Sequence, residues 1–384
     1  MMALVNQLSA LKLRGHKGSV GSIAVDPARG IFATGAAPSY GAESEVRLWD
    51  IQTGESLRTL TTGLNAVFSL AFSRDGSRLA VGGGGTVCDG RWVYTGGVEV
   101  WILGSKESVA RFGSELLFIK TIAFSPDDAS ILTTNLKSPN EPARADKRRV
   151  RLWRSSDFKE TSRFGEHDVG ISSACFSPGG EYVVFDANQA GAQVVSAADG
   201  ADRFVRKLVA GLRTSKAPTV HYHEVNSAPL VRIWNVGKRR EEPPLELSQG
   251  RVEAVAFSPD GSMVGTCGAQ IAIWNVAERN MMRKFDQGPR GYSVCLAFSP
   301  DNKVLATGGG YRMEPGGPFE DCGVKLWDIG SGALLVFLPH DRPVHSLCFA
   351  QDGKRVVAGG ESGELVLWNL PLVDSFHELK DAEV

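Results

Sequence analysis

One six-residue phrase returns along the 384-residue chain and limits what it can fold into. Glu-Val-Arg-Leu-Trp-Asp occupies residues 45–50, and variants of it place tryptophan at Trp101, Trp153, Trp234, Trp274, Trp327 and Trp368. In each copy Val, Leu or Ile alternates with a charged or small residue, the period of a β-strand with one buried face. A second marker keeps step with the first. Apolar strands run into tight turns at Asp26-Pro27, Arg74-Asp75-Gly76, Pro126-Asp127-Asp128, Pro178-Gly179-Gly180, Pro259-Asp260-Gly261, Pro300-Asp301-Asn302 and Gln351-Asp352-Gly353. Asp-Gly and its relatives accept the φ > 0 conformations that tight hairpins need. Seven turns and seven tryptophan strands predict seven four-stranded units. Each unit reads strand a, turn, strand b, loop, strand c with the tryptophan, then strand d.

These coupled markers closely resemble the WD-repeat β-propeller family from about residue 12 to 370. The resemblance implies an all-β, seven-bladed WD-repeat β-propeller, a single domain over 1–384 with its blades in 10–370. It also implies closure of the ring by the N-terminal strand, with Ala10–Gly15 serving as strand d beside Leu365–Asn369. Closure removes open sheet edges. The family's hydrogen-bonded set of His, Ser/Thr, Asp and Trp maps onto His16, His167 and His340 before the turns and onto Thr34, Thr133, Thr266 and Thr307 after them. The acidic position six residues before the tryptophan holds Glu43 in blade one and Asp321 in blade six. Only blade one approaches the full set, so apolar packing is expected to hold most blades.

The spacing between tryptophans carries further information. The steps 234–274 and 327–368 match the family period of about 40–45 residues. The other steps are longer, and the excess falls in the b–c loops: residues 37–45, 83–97, 135–149, 188–229 and 309–323. All b–c loops of a propeller emerge on one face, so long insertions there predict a collar, and loops on a rigid scaffold are where binding concentrates. The 188–229 insertion reads in two ways. Phe204, Leu208 and Leu212 give Ala201–Leu212 the stripe of a short amphipathic helix. Alternatively, residues 192–208 align with a c–d strand pair of an eighth blade. The turn count favours seven blades with an insertion. Residues 372–384 form a polar, charged tail.

Several function classes lack support. The net charge of −1 supplies no field toward nucleic acid or an anionic membrane. The N-terminus lacks a basic head followed by an apolar run, and no stretch approaches 18 apolar residues, so a cytoplasmic protein without membrane partners is expected. Cys175, Cys295 and Cys348 sit in apolar runs at what reads as one equivalent place, as buried thiols of a reducing compartment. Gly82–Gly85 lack a following Lys-Ser/Thr and read as the root of a loop rather than a phosphate cradle. His221 and His223 share a strand face, Asp186 or Asp199 could approach but nothing fixes them, and a closed metal site needs four ligands. Cys88 and Cys322 belong to non-adjacent blades. No metal, cofactor or catalytic residue is predicted. His340 and His345 read as structural members of blade seven.

Two sets of side chains could bind a macromolecule. Tyr40, Arg91, Trp92, Tyr94, Tyr311, Arg312 and Phe319 place aromatics and arginines in the collar, the composition of protein-interaction hot spots, with Trp92 as the expected exposed anchor. Lys147, Arg148, Arg149, Arg206, Lys207 and Arg213 could instead meet a polyanion or nucleic acid. Glu141, Asp146, Asp199, Asp202 and Glu224 are interleaved with those cations and cut the local charge. The sequence therefore favours a non-catalytic scaffold that holds protein partners on the loop-decorated face.

Overall fold

A computed structural model describes residues 9–37, 44–88, 91–105, 107–113, 119–135, 148–166, 170–187, 230–247, 250–288, 291–312, 319–361 and 363–370. Among these, seven antiparallel sheets of four strands each follow one another along the chain. The seven strands a lie innermost: Ser19–Val25, Val67–Phe72, Ile119–Phe124, Ala174–Phe176, Val252–Phe257, Ser293–Phe298 and Val344–Phe349. Each touches the strand a of the blades on either side, and the seventh touches the first, so the ring is closed around a central channel. The predicted closure is present: Ala10–Leu13 pairs antiparallel with Leu365–Asn369, with Lys12 opposite Val366 and Leu13 opposite Leu365. The alternative of an eighth blade falls away.

The turns work as their chemistry demands. Ser73 donates its hydroxyl to Asp75 at 2.6 Å and accepts the Arg78 N–H at 2.9 Å, which fixes the start of strand b. The same serine–aspartate bond recurs at Ser125 and Asp127, Ser258 and Asp260, and Ser299 and Asp301. The Ser73 hydroxyl, with help from Ser77, holds the Asp75 carboxyl down to about 2.

Neighbouring blades lock by size. A Cβ on Gly35 would lie 2.2 Å from Val67 of the next blade, one on Gly82 would lie 2.6 Å from Ile119, and one on Gly308 would lie 2.7 Å from Val344. At these three seams the first apolar residue of strand a thus fills a hole left by a glycine on the strand b before it. Hydroxyl groups add a second lock. Ser22, Ser69, Ser173 and Ser346 accept the N–H of Leu70, Ile122, Val255 and Ile23, each on the next blade, at 2.9–3.0 Å. Thr121 donates to the Ser172 carbonyl, and the Cys295 thiol points at the Val344 carbonyl. Ala254 is the member of this column without a polar atom. At that seam Tyr292 reaches back and donates to Glu253 at 2.5 Å.

Three expectations change. Gly82–Gly84 are not the root of a loop: they lie inside strand b of blade two, Arg78–Cys88, opposite Val98, Gly97 and Gly96. Glycine is needed there because a Cβ on Gly83 would stand 1.9 Å from the Ala66 carbonyl oxygen. Cys295 is not equivalent to Cys175 and Cys348. The latter two face Val184 and Val357, whereas Cys295 faces Gly308, two residues earlier on the same strand face. Burial nonetheless pushes all three thiols up to about 12. His345 is not packed within its blade; it is exposed toward the channel.

The insertions of blades two and six continue the sheet. In blade two the ladder runs on through Thr86–Val93, Val87–Trp92 and Cys88–Arg91, and in blade six through Tyr311–Glu320 and Arg312–Phe319. Residues 38–43, 136–147 and 188–229 lie outside the described residues, and with them the helix expected at Ala201–Leu212, His167, His221, His223 and the 372–384 tail.

Candidate functional site

Strands alternate in direction, so every b–c connection and every d–a link emerges at one end of the channel. The lengthened hairpins stand at this end. In blade six Tyr311 donates its hydroxyl to Glu320 at 3.2 Å across the hairpin, and the Arg342 guanidinium lies 5.1 Å over the Phe319 ring. Arg342 comes from the link into blade seven and is exposed, so the hairpin is braced against its neighbour by a cation–π contact. The base is tight as well: a Cβ on Gly310 would meet the Cys322 sulfur at 2.6 Å and the Pro343 backbone at 3.0 Å.

Below the collar, blade one carries the hydrogen-bonded set in full. His16 Nε2 is 2.6 Å from Thr34 Oγ1, and Trp49 Nε1 donates to the same hydroxyl at 2.7 Å. The acid is Glu45, with Oε1 3.2 Å from His16 Nδ1, in place of the expected Glu43, which lies outside the described residues. The reason is periodicity. Strand c is Glu45–Asp50, so Glu45, Arg47 and Trp49 share the face that looks at His16. Burial drives the His16 imidazole down to about 4 against the pull of Glu45, so it is neutral at neutral pH.

Thr133, Thr266 and Thr307 accept the indole N–H of Trp153, Trp274 and Trp327 at 2.9, 3.4 and 2.9 Å, as the threonine pattern predicts. In blade two Val81 stands at this position and Trp101 Nε1 is buried without an acceptor among the described residues. In blade six Asp321 turns to Lys325 at 2.6 Å.

At the channel mouth a second group of side chains converges. Arg251 meets Glu253 at 3.0 Å, and Tyr292 holds the same carboxylate. Asp186 is fully buried on strand b of blade four, at the position held by Gly35, Gly82, Gly308 and Gly359 in four other blades, and accepts the N–H groups of Ser172 and Ser173 at 2.8 Å each. Its burial wins over these bonds and pushes the carboxyl up to about 7.

The expected binding residues fare unequally. Tyr311 and Phe319 are brought together on one hairpin, both half-buried, and Phe319 is capped by Arg342 rather than bare. Arg91, Trp92, Tyr94 and Arg312 lie on the two ladders, their side chains outside the described part of the structure, and Tyr40 is outside altogether. Among the polyanion-facing set, Arg149 is corrected: it is only 3 % exposed, because strand c of blade three already begins at Arg148 and draws Arg149 into the sheet. The side chain of Arg148 and all of Lys147, Arg206, Lys207 and Arg213 lie outside the described residues. Arg342 was missed because it sits in a d–a link, away from the insertions. Its only sequence signal is its place beside His340. No cluster able to hold a metal ion occurs among the described residues, nor does any helix long and apolar enough to cross a membrane.

Comparison with known proteins points the same way. The family model "WD domain, G-beta repeat" matches residues 8–50, 54–88, 282–328 and 332–369. Human apoptotic protease-activating factor 1 is 21 % identical over 430 residues, covering 88 % of this chain and 32 % of that protein. The rice small ribosomal subunit protein RACK1y is 29 % identical over 150 residues, 36 % of this chain and 41 % of that protein. The U3 small nucleolar RNA-associated protein 15 homolog of Xenopus laevis is 28 % identical over 137 residues, 35 % of this chain and 24 % of that protein. The chain therefore spans less than half the length of each of these relatives.

Proposed function

From a chain that belongs to the WD-repeat β-propellers, generally non-enzymatic scaffolds for protein interaction, we propose a protein-binding adaptor that receives its partner on the face bearing the lengthened hairpins. The observation that carries this reading is the blade-six hairpin, where Tyr311, Phe319, Glu320 and Arg342 form one braced aromatic and charged surface on a rigid base. Rigid aromatics and arginine bind at low entropic cost because little rotamer freedom remains to be lost. The blade-two hairpin, carrying Arg91, Trp92 and Tyr94, is the second element of the same face. The reading places the chain in the cytoplasm, where thiols such as those of Cys175 and Cys348 stay reduced.

The test is quantitative capture of partners from native lysate by wild type, by Trp92→Ala with Tyr311→Ala, and by Phe319→Ala with Arg342→Ala, at low and high salt. A partner retained by wild type at both salts and lost by the paired variants supports the reading. A partner indifferent to the aromatic changes but released by salt would transfer the function to the cationic loops of blades three and four, since phosphate-neutralising contacts weaken steeply with salt.

A further inference from the structure

The pairing of strands a and b slips by one residue at the same place in six blades: between Val20 and Ser22, Val67 and Ser69, Ile119 and Thr121, Val252 and Ala254, Ser293 and Cys295, and Val344 and Ser346. A bulge of this kind leaves one residue out of the ladder and re-aims its side chain. The residues released are Gly21, Phe68, Lys120, Glu253, Val294 and His345, and Ser172 holds the corresponding place in blade four. Because strands a line the channel, this column forms a ring at its mouth.

The ring is chemically uneven. Glu253 is paired with Arg251 and accepts the Tyr292 hydroxyl. Ser172 is buried and Asp186 lies behind it, tied to two backbone N–H groups. Lys120 and His345, in contrast, are exposed to the channel and have no hydrogen bond or ion pair among the described residues. They sit three blades apart, yet the charge of Lys120 acts on His345 across the channel. Gly21 and Phe68 occupy the ring positions between them, one leaving space and the other offering an apolar wall. Enclosure by protein pushes the Lys120 ammonium down despite the pull of Glu253, and it pushes His345 down too, so the imidazole is neutral and has an N–H to give.

We propose that the channel mouth is a carboxylate-binding site in which Lys120 supplies the charge and His345 a hydrogen bond. A single unpaired cation suits a monoanion. Glu253, Asp186 and Glu361, the last of which lies near enough to act on His345, disfavour a doubly charged phosphate. The carboxylate has two sources, an acidic side chain of a bound protein or a free small acid, and the experiment separates them.

The full chain, labelled at its histidine rings, is titrated with acetylated and amidated hexaglutamate, with the glutamine counterpart, with glutarate and with inorganic phosphate. The His345 ring signals and the dissociation constants are read by NMR. Hexaglutamate or glutarate should shift His345, and Lys120→Met and His345→Phe should each weaken binding at least tenfold, while Lys120→Arg retains it. Tighter binding of the peptide identifies a protein source; equal binding of glutarate identifies a free acid. Tyr311→Ala with Phe319→Ala should leave these constants unchanged, which keeps this site separable from the hairpin surface. Equal binding of the glutamine peptide, tighter binding of phosphate, or indifference to Lys120→Met in a variant that melts like wild type would overturn the assignment.

Discussion

Trp49 donates its indole N–H to Thr34 Oγ1 at 2.7 Å, joining the tryptophan of strand c to the centre of strand b in blade one. The same hydroxyl meets His16 at 2.6 Å, so one buried oxygen satisfies two rings. Thr34→Val keeps the shape and removes that oxygen. It should lower stability by about 1–3 kcal/mol, since two buried polar groups lose their partner. Chemical denaturation measures this, and a change under a few tenths would mean the bonds contribute little.

The hydroxyl column between blades predicts a pair of opposite effects. Ser69→Ala removes the acceptor for the Ile122 N–H and should cost about 1 kcal/mol. Ala254→Ser supplies the hydroxyl missing between blades five and six and should raise stability by up to about 1 kcal/mol. Loss of stability in the serine variant would show that this seam has no room for the bond.

Two buried groups should give pH dependences of opposite sign. His16 is held at about 4, below its unfolded value of 6.5. Its contribution is complete above 6.5 and is lost as pH falls from there through about 4, because the unfolded chain takes up the proton first. Asp186 is held at about 7, above its unfolded value of 3.8. Its contribution is complete below 3.8 and is lost as pH rises through about 7. His16→Gln should therefore flatten the acid-side decline in melting temperature. Asp186→Asn should flatten the decline toward neutrality. If both variants follow the wild-type profile, other groups set it.

Glycine matters at some positions and not at others. Gly83→Ala forces a Cβ to 1.9 Å from the Ala66 carbonyl and should cost at least about 2 kcal/mol by overpacking. Gly237→Ala meets nothing closer than 3.8 Å and should stay within about 0.5 kcal/mol of wild type. Thermal melts of the two variants decide the point, and equal losses would refute it.

The fold was legible because its markers are local. The strand alternation around each tryptophan, the serine–aspartate turns and the threonines that meet the indoles all sit at fixed short spacings, and the structure reproduces them. The candidate site was less legible. Tyr311 and Phe319 were visible as aromatics in an insertion, but the Arg342 that caps Phe319 comes from another blade. Glu45 replaced Glu43 because the start of strand c, not a fixed offset from Trp49, sets which acid faces His16. Arg149 looked like a surface cation until the sheet drew it in.

By itself the sequence determined the blade count, the order of strands and the turn chemistry, since each follows from backbone preferences over a few residues and from burial of alternate side chains; closure of the ring was an expectation only through the family resemblance. Only the tertiary structure decided that Gly82–Gly84 form strand rather than loop, that hydroxyls of one blade bond the backbone of the next, and that Lys120 and His345 both open on the channel. Those relationships join residues far apart in the chain. They arise when seven sheets close on a common channel, and closure, unlike periodicity, leaves no mark within any one repeat.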